Sequence, residues 1–170
     1  MKEEVLFTRE DISKRVRELG EEITKDYDGK EILVISLLKG AFVFTADLVR
    51  EINLPVEIDF LTTSSYGHGQ ESSGNVKFIT DLTVEVKGKD VLIVDDIMDS
   101  GITMNEVKEY ILSKNPNSVK VCTMLDKPSR RTVDLTPDYV GYEIPDVFIV
   151  GYGLNYEQYY RNTPYIFAFV

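Results

Sequence analysis

The stretch Val91-Leu92-Ile93-Val94-Asp95-Asp96-Ile97-Met98-Asp99-Ser100-Gly101-Ile102-Thr103 decides how the rest of the chain is read. Val91 to Asp95 reads as a strand whose apolar, branched run Val91–Val94 ends in an acidic pair, the pattern of a strand buried on both faces of a parallel sheet. Asp96 to Gly101 reads as a turn, and Thr103 to Leu112 as a helix. In open α/β sheets, ligands gather beyond the carboxyl ends of the strands. A Ser-Gly-x-Thr turn that opens a helix offers free N–H groups, two hydroxyls and a positive helix end, all suited to a phosphate. Asp95 and Asp96 stand where they can hold sugar hydroxyls or Mg²⁺, a hard cation that prefers oxygen. An acidic pair at a strand end also serves as a plain turn cap. The attached Asp99-Ser100-Gly101-Ile102-Thr103 is what favours a ligand site.

On either side, helical and extended patterns alternate, which predicts an α/β fold with a central, mainly parallel sheet. The N-terminus is acidic and leads into a polar helix. Thr8 reads as its N-cap, Ile12, Val16, Leu19 and Ile23 recur at helical spacing, and Asp28-Gly29 ends it. Glu31 to Leu38 reads as a buried strand, Ala41 to Ile52 as a helix and Val56 to Thr62 as a strand. Ser64 to Asn75 is polar, carries Gly67, Gly69 and Gly74, and reads as a mobile loop of functional length. Strands are predicted at Val76–Thr80, Ser118–Leu125, Tyr139–Tyr142, Val147–Val150 and Tyr165–Phe169. No internal repeat or linker divides the 170 residues, so one domain, 1–170, is expected.

Composition narrows the partners. A formal charge of −10 argues against general affinity for nucleic-acid backbones, yet a few placed lysines, backbone N–H groups and Mg²⁺ suffice to hold a small anion. No apolar run approaches the roughly 18 residues of a membrane helix, and no secretory signal is apparent, so no membrane partner is expected. Cys122, the only cysteine, lies in an apolar run and reads as a core thiol, which fits a reducing cytoplasm.

A receiver domain of the phosphorelay type opens with a similar strand and acidic pair, but near its N-terminus; here that strand begins at residue 91. The glycine-lysine phosphate loop of P-loop ATPases is absent. The 91–103 segment instead resembles the phosphoribosyl-pyrophosphate signature of the type I phosphoribosyltransferases. Leu38-Lys39-Gly40, Ser64-Ser65-Tyr66-Gly67, Leu125-Asp126-Lys127-Pro128 and Tyr142 to Leu154 resemble, in order and spacing, the hypoxanthine-guanine branch of that family. The resemblance implies a type I fold with a small hood formed by the chain ends. It implies transfer of a 5-phosphoribosyl group to N9 of hypoxanthine, and of guanine, in purine salvage.

Residue by residue, the resemblance gives Asp99 the role of general acid/base at N7 of the purine. Asp95, Asp96, Ser100, Gly101, Ile102 and Thr103 would hold the phosphoribosyl group. Lys39, Gly40, Ser65, Tyr66 and Arg161 would meet pyrophosphate, with a peptide bond at Lys39-Gly40 that can be cis and the 64–75 loop closing over the site. Lys127 would donate to the purine 6-oxygen, which an exocyclic amine cannot replace as acceptor. Phe148 would stack on the base and Ile149 would offer its carbonyl, although Phe148 in an apolar stretch also reads as core. Read without the resemblance, Lys39-Gly40 is a surface turn, and His68 has no assigned role.

Two positions depart from the family pattern. Asp95 stands where Glu is common, which keeps the charge on a shorter arm. Asn155 stands where an Asp usually helps to hold a second Mg²⁺, so the metal set is Asp95 and Asp96, with Asn155 as a weaker, uncharged member. The implied partners are a 6-oxopurine, phosphoribosyl pyrophosphate and further copies of the chain, as a homodimer or homotetramer. The alternative from another class is a nucleotide-sensing regulator on the same fold; the retained Asp99 and Lys127 speak for the enzyme.

Overall fold

In a computed structural model, which describes residues 2–65 and 76–170, nine strands and three helices follow in the order β1 (Glu3–Phe7), α1 (Arg9–Asp26), β2 (Ile32–Leu38), α2 (Phe42–Val49), β3 (Val56–Ser65), β4 (Val76–Thr80), β5 (Asp90–Met98), α3 (Ile102–Leu112), β6 (Ser118–Asp126), β7 (Tyr139–Glu143), β8 (Ile149–Val150) and β9 (Ile166–Phe169). The main sheet has the order β4-β3-β2-β5-β6-β7. Its pairs are parallel except for β3 with β4. The centre of the sheet is its most buried part: β2 and the Val91–Val94 part of β5 are covered on both faces, which is why both read as nearly continuous apolar runs.

Alternation across the pleat sends side chains to two cores. Val34, Leu92, Val94 and Cys122 face α1 and α2, where Ile12, Val16, Leu19, Ile23 and Phe44 are buried. Leu33, Ile35, Val91, Ile93 and Val121 face α3, meeting Met104, Val107 and Ile111. The helix α1 starts as its sequence predicts: Thr8 accepts from Asp11 N at 3.1 Å, and the Asp11 carboxylate accepts from Thr8 N at 3.0 Å. Cys122 is buried, and burial pushes its thiol above the ordinary value, so it is the expected core thiol.

Four expectations need correction. The acidic lead into α1 is a strand: β1 pairs antiparallel with β9, and β9 with β8, so the chain ends build the hood as a separate three-stranded sheet. The strand β5 does not stop at the acidic pair. Ile97 and Met98 keep their parallel register with Leu125 and Asp126, and the turn shrinks to Asp99–Gly101. The helix α2 is shorter than Ala41–Ile52, ending at Val49 before two tight turns close on Glu51 and Ile52. The cis peptide bond lies at Leu38–Lys39, one residue before the expected Lys39-Gly40. Among the described residues, no helix is long and apolar enough to cross a membrane.

Candidate active site

The carboxyl ends of β2, β5 and β6 converge, and the sequence places its acids, its glycines and Lys127 there. Asp95, Asp96, Asp99, Ser100, Gly101 and Thr103 line a cavity of about 270 Å³. A larger cavity, about 520 Å³, opens at the opposite ends of β2, β3 and β5, lined by Lys30, Glu57, Lys89 and Asp90. Size and chemistry therefore do not coincide. The smaller cavity carries the strand-end acids and the start of a helix, which is where this fold class binds ligands.

The turn has the shape a phosphate needs. Gly101 adopts φ +85°, a left-handed conformation that glycine enters without steric cost, and α3 begins at the next residue. Ser100 Oγ accepts from Ile102 N at 3.2 Å, and Ser100 O accepts from Thr132 N at 3.0 Å. The first N–H groups of α3 lack partners within their own helix and carry its positive end.

Asp95 and Asp96 sit half-buried one turn short of that helix. Asp95 Oδ1 accepts from Asp96 N at 2.9 Å, and Asp96 Oδ1 from Ile97 N at 2.8 Å. Burial pushes the Asp95 carboxyl well above the ordinary carboxylate range, and the adjacent Asp96 charge adds to it. Burial raises Asp96 as well, while its hydrogen bonds and the Arg161 guanidinium pull the other way. Two adjacent acids at a strand end suit a divalent cation or a developing positive centre. Among the described residues, no three acids, histidines or cysteines gather into a ready-made metal cluster.

Gly40 packs directly on this pair. A Cβ at Gly40 would overlap the Asp96 carboxylate, and a Cβ at Gly153 would overlap the carbonyl of Gly40. Arg161 Nη1 donates to Gly153 O at 2.7 Å. Gly40, Asp96, Gly153 and Arg161 thus meet in one place, although 121 positions separate Gly40 from Arg161 (161 − 40). Lys39 is exposed beside them. Ser65 ends β3, and Tyr66, with most of 64–75, lies outside the described residues.

At the far side of the turn, Lys127 is 8% exposed, and its Nζ lies 3.7 Å from Asp99 Oδ1. It lies equally far, 3.7 Å, from Asp146 Oδ1, which ties the segment after β7 to the same ammonium. Lys127 N donates to Met98 O at 2.9 Å, which fixes this residue to the end of β5. Phe148 is 55% exposed, so it is not core; its ring meets Tyr156 edge-on at 5.8 Å. Ile149 is buried and pairs with Ala168 in the hood. Asn155 is exposed, and its amide nitrogen donates to Glu157 O at 2.7 Å.

Residues that the sequence reading did not single out are Asp146, Arg131 and Gly153. Gly151-Tyr-Gly153 follows the expected platform directly, so a paired glycine spacing was the available signal for the last of these. The two charged residues carry no local signal, because a charged side chain in a loop reads as solvated surface.

Known proteins share this arrangement. The family model described as "Phosphoribosyl transferase domain" matches residues 5–157. The hypoxanthine phosphoribosyltransferase of Salmonella typhimurium is 48% identical over 165 residues, 96% of this chain and 93% of that one. The hypoxanthine-guanine phosphoribosyltransferase of Bacillus subtilis is 49% identical over 164 residues, 96% of this chain and 91% of that one. The crystal structure of a hypoxanthine phosphoribosyltransferase from Staphylococcus aureus superimposes with a TM-score of 0.95 at 46% identity, covering 98% of this chain and 91% of that one. On the sheet order, the phosphate-shaped turn and these matches together, the chain belongs to the phosphoribosyl transferase domain family.

Proposed function

We propose that the chain is a purine salvage enzyme that transfers the 5-phosphoribosyl group from phosphoribosyl pyrophosphate to N9 of hypoxanthine, and of guanine, giving IMP or GMP and pyrophosphate. The observation that carries this reading is the 3.7 Å approach of Lys127 Nζ to Asp99 Oδ1 beside the Ser100–Thr103 turn. A donor for a purine 6-oxygen and a carboxylate for N7 then stand next to each other, with the phosphate turn behind them. Two edges of one base are addressed at once.

In this reading Ser100, Gly101, Ile102 and Thr103 take the 5′-phosphate with backbone N–H groups and hydroxyls. Asp95 and Asp96 hold the ribose hydroxyls and favour the positive charge that develops on the ring as the bond to pyrophosphate lengthens. Lys39, Gly40 and Arg161 face the pyrophosphate, joined by Ser65 and by Tyr66, which lies outside the described residues. Phe148 stacks on the base and Ile149 offers its carbonyl. Asp99 exchanges the proton at N7 while N9 attacks the anomeric carbon with inversion. Asp95 and Asp96, with a weaker contribution from Asn155, would hold Mg²⁺, which supplies charge neutralisation to the leaving pyrophosphate. The adjacent carboxylate oxygens of Asp95 and Asp96 fit that assignment, because Mg²⁺ prefers hard oxygen ligands.

The same reading takes 1–170 as one cytoplasmic catalytic domain that engages neither nucleic acid nor membrane. Self-association as a homodimer or homotetramer belongs to it: Phe42, Ile58, Phe60 and Ile79 are large apolar side chains left exposed, a surface of the kind that subunit contacts cover. Sedimentation analysis tests that point. The decisive assay supplies phosphoribosyl pyrophosphate and Mg²⁺ with hypoxanthine, guanine, xanthine or adenine in turn. Nucleotide from hypoxanthine and guanine is expected; nucleotide from none of them, with intact binding of IMP, would make the chain a nucleotide-sensing regulator.

A further inference from the structure

Beneath the phosphate turn lies an ion pair that the chemistry above leaves unused. Asp126, the last residue of β6, has a side chain only 6% exposed, and Arg131, five residues on, one only 14% exposed. Arg131 Nη2 donates to Asp126 Oδ1. Removing two charges from water is costly and is seldom repaid in stability, so a pair this enclosed calls for another reason to exist.

Its surroundings supply one. A Cβ at Gly101 would lie 2.8 Å from Val133 Cγ2 and 3.0 Å from Arg131 Cδ, so the Arg131 methylenes and Val133 are the floor of the turn. Thr132 N donates to Ser100 O at 3.0 Å, and Lys127 N to Met98 O at 2.9 Å. The 126–133 segment therefore grips the 98–101 backbone before, beneath and after the bend. Arg131 Nε is enclosed and has no hydrogen-bond partner among the described residues. An unpaired buried donor opposes folding, yet its positive potential sits under the turn read above as the phosphate site. A guanidinium is a rigid planar fork that holds its charge at any working pH, and a flexible lysine does not reproduce its geometry.

We propose that Arg131, locked to Asp126, is a positioning residue: it holds the Asp99–Gly101 turn in the shape that receives the 5′-phosphate and sets the register between Lys127 and Asp99. This inference rests on the reading of that turn as a sugar-phosphate site. It explains why a buried ion pair stands directly next to the base-reading lysine in the sequence.

The test compares wild type, Arg131→Met, Arg131→Lys and the double variant Asp126→Leu/Arg131→Met, with Arg130→Met as a control that removes one nearby exposed charge. Steady-state constants are measured for phosphoribosyl pyrophosphate and hypoxanthine, and IMP binding by calorimetry. Arg131→Met is expected to raise KM for phosphoribosyl pyrophosphate and Kd for IMP about tenfold, with kcat changed by less than about threefold. Arg131→Lys should recover part of the loss, and Arg130→Met should match wild type. Wild-type constants in Arg131→Met, or a lowered melting temperature alone, would overturn the assignment. Should the single Met variant fail to fold, the double variant, which leaves no unpaired buried charge, is expected to fold and show the same tenfold change; wild-type constants there would equally overturn it. If neither folds, Arg131→Lys decides by the same constants. A wild-type protein that forms no nucleotide and binds no IMP removes the underlying site reading, whereas an active wild type with unaffected variants removes only the role of Arg131.

Discussion

Replacing Gly40 with alanine adds one methyl group at the point where three distant segments meet. The new Cβ would overlap Asp96 Oδ2 and lie 2.8 Å from Asp96 Cγ, so the carboxylate must swing aside. Asp96 Oδ1 is held by Ile97 N at 2.8 Å, and the Gly40 carbonyl is itself packed against Gly153. Forcing a short side chain off its rotamer in a packed site costs about 1–2 kcal/mol. For a domain of this size that lowers the melting temperature by roughly 2–8 °C. The larger effect falls on catalysis, because a carboxylate moved by the width of a methyl group no longer faces the ribose. A displacement of that order costs about 10- to 100-fold in kcat/KM for phosphoribosyl pyrophosphate. The assay follows IMP formation at saturating hypoxanthine, with phosphoribosyl pyrophosphate varied. Gly88→Ala is the matched comparison. Gly88 has φ +75° and nothing within 4 Å of a new Cβ, so alanine there strains the backbone and lowers stability far from the site. Gly88→Ala should melt earlier at wild-type kcat/KM. If Gly40→Ala also kept wild-type kcat/KM, the packing of Gly40 on a functional Asp96 would be refuted.

Asp99→Asn should lower turnover by about 10²- to 10⁴-fold while IMP still binds, since the amide keeps the shape but cannot exchange the N7 proton; equal turnover removes Asp99 from its role. Lys127→Met removes a charged donor to the base and should cost about 10- to 100-fold in kcat/KM for hypoxanthine, measured against adenine as a base that lacks the 6-oxygen; an unchanged ratio between the two bases speaks against Lys127 as the reader. Asp95 and Asp96 have carboxyls raised above their unfolded values, so they add stability below the ordinary carboxylate range, and it is lost as pH rises through their raised values. Mg²⁺ with pyrophosphate should therefore raise the melting temperature more at about pH 8 than at about pH 5. A shift that does not change with pH would place the metal elsewhere.

Much of this was legible because local chemistry and tertiary role agree. The Val91–Val94 run is buried, and Thr8 is the N-cap of α1 that its position announces. Gly101 is left-handed at the start of α3, where a glycine before Ile102 suggests a turn. What escaped was non-local. The strand β1 pairs with β9 at the other end of the chain, and five residues beginning Glu3-Glu4 carry too little alternation to reveal a partner so far away. The extension of β5 through Ile97 and Met98 depends on a neighbour, β6, continuing in register to Asp126. Burial of charge is equally invisible: Asp126 and Arg131 look like loop charges until packing encloses them together. Phe148 shows the reverse, an aromatic in an apolar stretch that the fold leaves exposed.

A crystal structure of the protein with IMP tests the central claim most directly. The account predicts the phosphate seated on the N–H groups of Ser100–Thr103, the base against Phe148, Lys127 Nζ on the 6-oxygen and Asp99 within hydrogen-bond reach of N7. Phosphate bound anywhere else, or an Asp99 carboxylate turned away from the five-membered ring of the base, would contradict it.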